Sequence, residues 1–261
     1  MERDTNSGFS DGDVLQTLTR GLTVIACFDR NHRRMTPTEV ARRVGLTRAA
    51  ARRILITLVT TGYAHTDGKN FELTARVLEL GYAYLSSFGL PEVARTYMED
   101  VTRELGESCS IAVLDRRDII YIARVSAQRI MEQVLEIGGR LPAHATALGQ
   151  VLMAALPDED LVALLDRYPL FALTDRTITD RVAFLERIAC VRRQGYALVD
   201  EELELGVRSI AVPIRDRHNR VIAAMNVGAH VGRISLEGMT DRVLSILRRA
   251  ANETERPIGH L

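Results

Sequence analysis

The apolar positions near the N-terminus recur at the three- and four-residue spacing of an amphipathic helix, which predicts a helix over residues 14–29. The positions that follow this spacing are Leu15, Leu18, Leu22, Ile25 and Phe28. The polar segment before them, residues 1–13, shows no such periodicity, and we predict that it is a disordered tail.

Two further helices are predicted after this one, separated by a short turn. Thr36, Pro37 and Glu39 form a capping box with proline at the first helical position, and Gly45 is suited to the left-handed residue that ends a helix. Thr47 is a second N-cap and begins a helix that extends to about residue 61. Two short helices joined by a glycine-containing turn are typical of a helix-turn-helix.

The second of these helices is basic on one side and apolar on the other. Arg48 and Arg52 lie one helical turn apart and share an outer face with Arg53 nearby. The inner face consists of Ile54, Leu55 and Leu58. The small side chains of residues 49–51 allow close approach to a DNA major groove. An alanine-rich helix with a solvated arginine row is the alternative interpretation of this helix taken alone.

A β-hairpin is predicted directly after the basic helix. Gly62 ends the helix, and residues 63–66 and 70–73 form two short strands around the Asp67-Gly68 turn. A hairpin in this position is a wing, and Lys69 at its tip could reach a phosphate. Residues 14–74 are therefore predicted to be a winged helix-turn-helix that binds a double-stranded DNA operator. The predicted DNA contacts are Thr36, Thr47, Arg48, Ala49, Arg52, Arg53 and Lys69.

A connecting helix and a larger second domain are predicted after the wing. Thr74 is the expected cap of a helix over residues 74–88, and residues 75–90 form the predicted linker. The predicted helices of the second domain, residues 91–261, cover 93–105, 146–156, 158–166, 180–194 and 235–255. The predicted strands cover 109–113, 119–125, 128–138, 196–199, 207–214 and 221–228. Strand pairs joined by tight turns and flanked by helices define an α+β fold with helices packed on a sheet.

The distribution of charge changes what the net charge means. The chain has 261 residues, with 34 Lys and Arg against 34 Asp and Glu, so its formal net charge is zero. Residues 20–62 hold nine arginines and only two acidic residues, Asp29 and Glu39. One short segment is thus strongly basic, and the zero net charge does not exclude a nucleic-acid partner.

Other features of the composition exclude several classes of protein. Every apolar stretch is interrupted before it reaches the roughly 18–20 residues that a membrane span requires. The N-terminus is polar and partly acidic, unlike a signal peptide. Cys27, Cys109 and Cys190 are widely separated, which argues against a disulfide framework or a metal site. We therefore expect a cytoplasmic protein without a membrane partner, metal or cofactor.

The chain resembles the IclR family of bacterial transcriptional regulators over essentially its whole length. The segments that carry the resemblance are residues 20–22, 47–62, 73–78, 139–149, 200–206 and 209–214. Residues 48–53, 141–146 and 177–180 are most similar to the branch that regulates catabolism of protocatechuate, 4-hydroxybenzoate and β-ketoadipate. The resemblance implies a homodimer or a tetramer, a GAF-like C-terminal domain that binds a small effector, and no catalysis.

The effector site is expected where residues 138–149 meet the sheet. The loop over residues 141–146 leads into a helix whose first N–H groups and positive dipole end suit a carboxylate. His144 or Arg140 could add a charge-assisted hydrogen bond, although His144 could equally be satisfied by backbone groups. The resemblance adds Ser209, Asn226 and Asp200 as polar contacts. The predicted effector residues are Arg140, Leu141, Ala143, His144, Thr146, Ala147, Asp200, Ser209, Ala211 and Asn226.

Two points about that site depart from the simplest interpretation. The family commonly has serine where Asn226 and Gly228 stand, so contacts made by those hydroxyls do not carry over. For the acidic run 200–202, the alternative interpretation is a charged surface that faces solvent and binds no ligand.

Two other functions compete with a ligand-responsive regulator. The first is a small-molecule hydrolase that uses His144, Asp200 and Ser209, but Ser209 lies in a predicted strand and not in a G-x-S-x-G elbow. The second is a DNA-architectural protein without a ligand, which leaves the loop before residue 146 unexplained. Effector identity and activation versus repression stay open, because protocatechuate, 4-hydroxybenzoate and β-ketoadipate all offer carboxylates.

Overall fold

The computed structural model describes residues 11–82, 89–127 and 136–258, and the chain divides into two compact units, residues 1–86 and 87–261. Each unit has its own apolar core. Within the described ranges, no helix has both the length and the apolar character needed to cross a membrane.

Three helices and a small antiparallel sheet enclose the apolar core of the first unit. The helices are α1 (Gln16–Ala26), α2 (Pro37–Val44) and α3 (Arg48–Thr60), and the strands are β1 (Arg34–Met35), β2 (Ala64–Thr66) and β3 (Phe71–Leu73). The strand order is β1-β3-β2, so the hairpin gains a third strand that the sequence did not predict. Val24, Val40, Leu55 and Phe71 lie in the core that joins the helices to the sheet.

The predicted capping residues form the expected hydrogen bonds. Thr36 Oγ1 accepts from the Glu39 N–H at 3.3 Å while Glu39 Oε2 accepts from the Thr36 N–H at 2.7 Å. Thr47 Oγ1 accepts from the Ala50 N–H at 3.2 Å. Gly45 has a φ of 68°, which ends α2 in the left-handed conformation. These local interactions fix the turn between α2 and α3, and the predicted helix-turn-helix and wing are confirmed.

The apolar row of α1 lies on the solvent side of the unit. Leu15, Leu18 and Leu22 have exposed fractions of 73%, 60% and 52%, whereas Val24 is fully buried. The helix is amphipathic as predicted, but it also presents an apolar surface that this unit leaves uncovered.

The prediction that Thr74 caps a linker helix is wrong. Thr74 Oγ1 donates to the Gly62 carbonyl at 2.6 Å, and its side chain caps no helix. A 3₁₀ turn, Ala75–Val77, follows and leads into a helical turn over residues 78–82, here α4. Residues 83–88, the rest of the predicted linker helix, lie outside the described residues.

The described residues of the second unit form a six-stranded antiparallel sheet with helices on both faces. Its strands are β4 (Ser108–Asp115), β5 (Asp118–Val125), β6 (Arg140–Pro142), β7 (Ala197–Asp200), β8 (Val207–Arg215) and β9 (Val221–His230). The strand order is β6-β5-β4-β9-β8-β7. The predicted α+β fold and the antiparallel pairing of β8 with β9 are confirmed. The strand predicted over 128–138 falls mostly on 128–135, outside the described residues, and β6 was not predicted.

The helices of this unit occur largely where the apolar pattern predicts them. They are α5 (Leu90–Leu105), α6 (Ala147–Ala154), α7 (Asp158–Arg167), α8 (Arg181–Gln194), α9 (Leu236–Gly238) and α10 (Leu244–Ile258). A π-helical segment, Met239–Val243, divides the single helix predicted over 235–255. Helices α6 and α8 share one core with the sheet, while α5 and α10 pack together against strands of the same sheet.

The start of α6 packs directly on the 3₁₀ turn that precedes it, Ala143–Ala145. A Cβ atom at Gly149 would lie 2.1 Å from the Ala143 carbonyl oxygen and 2.3 Å from its Cα atom. Thr146 Oγ1 accepts from the Gly149 N–H at 3.0 Å and so caps the first turn of α6. The close approach therefore fixes the position of the first turn of α6.

We expect Gly149→Ala to destabilise the second unit, because the added methyl group overlaps backbone atoms that cannot move without displacing the turn. Thermal unfolding of the full chain measures the effect as a lower midpoint or as a loss of soluble protein. Gly228→Ala is the control, since a Cβ atom there meets nothing within 4 Å. Equal unfolding midpoints for the two variants would contradict the close approach of Gly149 to the Ala143 backbone.

Candidate functional site

The outer face of α3 carries cationic side chains that the rest of the unit does not use. Arg48, Arg52 and Arg53 are exposed, and they have no hydrogen bond or ion pair with any described residue. The opposite face packs Ala51, Leu55 and Leu58 into the core. Of the three small residues predicted to face a groove, Ala51 is therefore an inner residue, whereas Ala49 is exposed. The outer face fits the negatively charged DNA backbone.

Asp67, an acidic residue of the wing, stabilises the turn at the tip of the hairpin. Asp67 Oδ1 accepts from the Lys69 N–H at 2.9 Å and from the Asn70 N–H at 2.7 Å, and Asp67 Oδ2 accepts from Arg34 Nη2 at 2.7 Å. The hydrogen bonds from Asn70 and Lys69, with the nearby Arg34, keep the pKa of the Asp67 carboxyl well below its usual value. This turn leaves the Lys69 side chain exposed at the tip.

The predicted DNA-binding residues thus divide into two groups. Thr36 and Thr47 use their side chains as helix caps and set the positions of α2 and α3. The other five are exposed on the outer face of α3 or at the tip of the wing: Arg48, Ala49, Arg52, Arg53 and Lys69.

The second unit contains a cavity of about 270 Å³ between the sheet and the first turn of α6. Polar side chains of neighbouring strands lie on its floor, and Leu141, Leu148, Val199 and Val207 supply apolar walls. The volume is close to the lower end of the range of about 300–1,000 Å³ that is usual for small-ligand sites. The cavity can therefore enclose a small molecule that has both a flat apolar part and polar substituents.

One row of cavity residues crosses three adjacent strands. Ser110 of β4 pairs with Arg124 of β5 on one side and with Asn226 of β9 on the other. Arg124 Nη1 donates to Ser110 Oγ at 3.1 Å. Asn226 Oδ1 is buried and has no hydrogen-bond partner among the described residues. An unpaired buried oxygen is unusual in a native protein and is a position where a ligand can supply the missing donor.

Tyr121 and two acidic residues add to the polar lining. Burial raises the pKa of Tyr121 to about 12, so its hydroxyl stays protonated and can donate to a ligand. Glu107 is buried and forms an ion pair of 2.7 Å with Arg233. Glu204 lines the same cavity from the loop before β8.

The structure places only some of the predicted effector residues in this cavity. Leu141, Thr146, Ser209 and Asn226 line it. Ala143, Ala147 and Ala211 belong instead to the apolar core beside it. The three remaining residues, Arg140, His144 and Asp200, have partners elsewhere in the unit.

Those partners account for each of the three side chains. Arg140 is paired with Asp115 at 2.6 Å and with Asp118 at 3.3 Å. Asp200 Oδ1 accepts from Arg208 Nε at 2.8 Å.

His144 is satisfied by a backbone group, which was the alternative interpretation of this residue. Its Nε2 atom donates to the Phe171 carbonyl at 2.9 Å, and its ring packs edge-on against the Phe171 ring with centroids 4.8 Å apart. Burial lowers the pKa of His144, although the bond to Phe171 opposes this effect. The neutral ring therefore tethers the 168–171 loop.

The three residues of the hydrolase alternative are not assembled into a triad. His144 donates to a carbonyl, Asp200 pairs with Arg208, and Ser209 lies on the sheet floor of the cavity. The structure shows no hydrogen bond that joins any two of these three side chains within the described ranges, so the triad has no support.

Several polar residues of the cavity were not predicted from the sequence, among them Ser110, Tyr121 and Arg124. The signal that could have found Ser110 is its alternation with Ser108 in a strand whose other inner positions are apolar. Arg124 gave no such signal, because arginine is abundant in this chain and its place beside Ser110 depends on strand register.

A winged helix-turn-helix with an unused cationic face, together with an α/β unit that encloses a polar cavity, defines a ligand-responsive DNA-binding regulator. The chain belongs to the IclR family: residues 17–68 match the IclR helix-turn-helix domain, and residues 82–256 match the bacterial transcriptional regulator IclR C-terminal domain.

Several named relatives are transcriptional regulators of the Pca and p-hydroxybenzoate branch. It is 43% identical over 244 residues to the Pca regulon regulatory protein of Pseudomonas putida, covering 93% of this chain and 84% of that protein. It is 39% identical to the p-hydroxybenzoate hydroxylase transcriptional activator of Acinetobacter baylyi, covering 92% and 91%. The predicted function as a DNA-binding regulator of this branch, without catalysis, is confirmed.

Solved structures show the same architecture. A protein from Rhodococcus sp. RHA1 is 46% identical and superposes with a TM-score of 0.84, over 95% of this chain and 99% of that one. An IclR homolog from Microbacterium hydrocarbonoxydans, solved with 4-hydroxybenzoate, is 27% identical with a TM-score of 0.83, over 94% of this chain and 100% of that one.

Proposed function

We propose that this regulator binds operator DNA as a homodimer through α3 and the wing, and that a small aromatic carboxylate in the cavity of the second unit alters this binding. The observation that carries the DNA-binding part is the row of exposed, unpaired arginines on α3. Helix α3 enters the major groove, where Arg52 contacts a base edge and Arg48 and Arg53 contact bases or phosphates. Lys69 contacts the backbone from the wing.

The effector part of the proposal rests on the cavity and on the relatives. Ser209, Asn226, Thr146 and Leu141 are retained from the predicted site, and Arg124, Ser110 and Tyr121 are added. Two features of the lining favour a carboxylate: the positive charge of Arg124, and the helix N-terminus at Thr146, which begins α6. Effector binding changes the packing of the sheet, and the linker over residues 75–90, which stays a prediction, transmits the change.

We expect Arg52→Ala to weaken operator binding by about 1–3 kcal/mol and to relax sequence preference at one base pair, because a bidentate contact to a base edge is lost. Fluorescence anisotropy at fixed salt, with the operator and a set of single-base variants, measures both effects. Lys69→Ala is the contrasting variant, since loss of a phosphate contact weakens all sequences alike and lowers the salt slope by about one.

Arg193→Ala, an exposed arginine on α8, is the matched control and should leave DNA affinity unchanged. Unchanged affinity in Arg52→Ala would remove this residue from the interface.

We expect 4-hydroxybenzoate to raise the unfolding temperature of the full chain and to change its operator affinity, because a ligand that binds only the folded state stabilises it. Gly228→Leu should abolish both effects by filling the cavity, since the space beside Gly228 is open. The variant should still bind operator DNA, which shows that it is folded. A full thermal shift in Gly228→Leu would place the effector site elsewhere.

The homodimer is supported by the exposed leucine row of α1. Leu15, Leu18 and Leu22 share one face of the helix, and a second copy of this chain is the partner that buries such a face in a self-complementary interface. A tetramer would need a further surface of the second unit.

We expect Leu22→Glu to shift the protein from dimer toward monomer, because a charge within the leucine row cannot be desolvated without a partner. Sedimentation velocity over a range of concentrations measures the change. Gln16→Glu adds the same charge at the first residue of α1 and should leave the dimer intact. A wild-type chain that sediments as a monomer at every concentration would contradict the proposal.

A further inference from the structure

The outer face of α3 has an apolar centre with arginines on both sides of it. Successive residues of an α-helix are turned by about 100°, so residues seven and eleven positions apart lie within about 20° of one line along the helix. Ala49, Ile56 and Thr60 have this spacing, and all three are exposed. Arg52 and Arg53 lie roughly 40–60° from this line, one on each side. The arginines therefore flank the centre of the face and do not occupy it.

Ile56 is the large apolar side chain of this face, with an exposed fraction of 40%. The hydroxyl groups near it are used within the helix: Thr60 Oγ1 donates to the Ile56 carbonyl and Thr57 Oγ1 donates to the Arg53 carbonyl, each at 3.0 Å. A single exposed apolar residue is ordinary on a protein surface. Ile56, however, lies between arginines that have no partner among the described residues. The centre of this cationic face thus offers alkyl groups and few hydrogen-bond donors.

The major groove of DNA presents one apolar group to such a surface. Guanine, adenine and cytosine offer hydrogen-bonding atoms there, whereas thymine adds its C5-methyl group. The arginines on the two sides of Ile56 are attracted to phosphates, which directs the centre of the helix face toward the base edges. An alkyl side chain placed against a hydrogen-bonding edge would remove water from that edge without replacing its hydrogen bond. The thymine methyl group is therefore the contact that suits Ile56.

We propose that Ile56 contacts the C5-methyl group of a thymine in the operator and thereby selects a T·A base pair at that position. This inference rests on the proposed function, because it specifies what α3 recognises in the DNA that its arginines bind. Ile56 is then a residue that determines specificity. Ala49 lies on the same line and is small enough to let the helix approach the groove closely.

Replacement of single thymines by uracil tests the contact, because uracil lacks only the methyl group and keeps the same hydrogen-bonding atoms. The probe is operator DNA that the full chain selects from a random-sequence pool, and fluorescence anisotropy at fixed salt measures binding of each uracil-substituted duplex. At one thymine, the substitution should weaken wild-type binding about fourfold, the loss expected for one buried methyl or methylene group. In Ile56→Ala the same substitution should change affinity by less than about twofold, because the methyl group has lost its partner.

Three comparisons control the experiment. Val182→Ala shortens an exposed apolar side chain of α8 and should retain the full uracil effect. Ile56→Val keeps the branched side chain with one carbon fewer and should retain most of it. Thermal unfolding should show that Ile56→Ala is folded, since the position is exposed and alanine favours a helix.

The outcomes separate this inference from the proposed function. An equal uracil effect in wild type and Ile56→Ala, or the absence of any thymine at which uracil weakens wild-type binding, overturns the role of Ile56 alone. A changed sedimentation coefficient of Ile56→Ala with unchanged operator affinity assigns the residue to a protein interface and also overturns it. If neither Arg52→Ala nor Ile56→Ala alters operator binding, α3 does not contact the DNA and the proposed function itself fails.

Discussion

The register of β4 with its two neighbours is the constraint on which the ligand site depends. In an antiparallel sheet, residues directly opposite each other place their side chains on the same face. The pairs Ser110–Arg124 and Ser110–Asn226 therefore bring a guanidinium, a hydroxyl and an amide into one row on the α6 side. A slip of one residue would turn the side chains of the displaced strand to the opposite face and dismantle the site. The buried residues of β4 that face the other way, Cys109 and Ile111, oppose such a slip.

The parts of the fold that could be predicted from sequence are those fixed by local interactions. The capping residues Thr36 and Thr47 and the Asp67 turn each act within a few residues, so their sequence patterns locate the helix-turn-helix and the wing. The strands β1 and β6 have only two and three residues, and they exist because a neighbouring strand offers hydrogen bonds. Thr74 resembled a cap but bonds to a carbonyl twelve residues earlier in the chain. Such choices depend on tertiary contacts, which a local pattern does not contain.

The effector residues depend on tertiary contacts even more strongly than the strands and caps do. Ser209, Asn226 and Asp200 were expected from resemblance, and the first two line the cavity. His144 and Arg140 were expected on chemical grounds, and both have partners elsewhere, as Asp200 also does. Each of these three is a reasonable ligand when considered alone. What the sequence lacks is the competing partner, such as the Phe171 carbonyl, which is 27 residues away from His144 along the chain. Arg124 was not expected as a ligand residue, yet it lines the cavity because strand pairing places it opposite Ser110.

The unpaired amide of Asn226 also bears on how a ligand could influence DNA binding. A ligand shifts a conformational equilibrium only by its difference in affinity for the two states, so an effector must meet an interaction that one state lacks. A buried oxygen without a hydrogen bond costs about 1–3 kcal/mol, so a state in which a group donates to Asn226 is favoured by about that amount over one in which the oxygen stays unpaired. That amount lies in the range of typical coupling energies between sites, about 1–3 kcal/mol. Because Asn226 lies on β9, between β4 and β8, any adjustment that completes its hydrogen bond acts on the centre of the sheet. Since coupling between binding sites is reciprocal, operator DNA must change effector affinity by the same factor by which the effector changes DNA affinity.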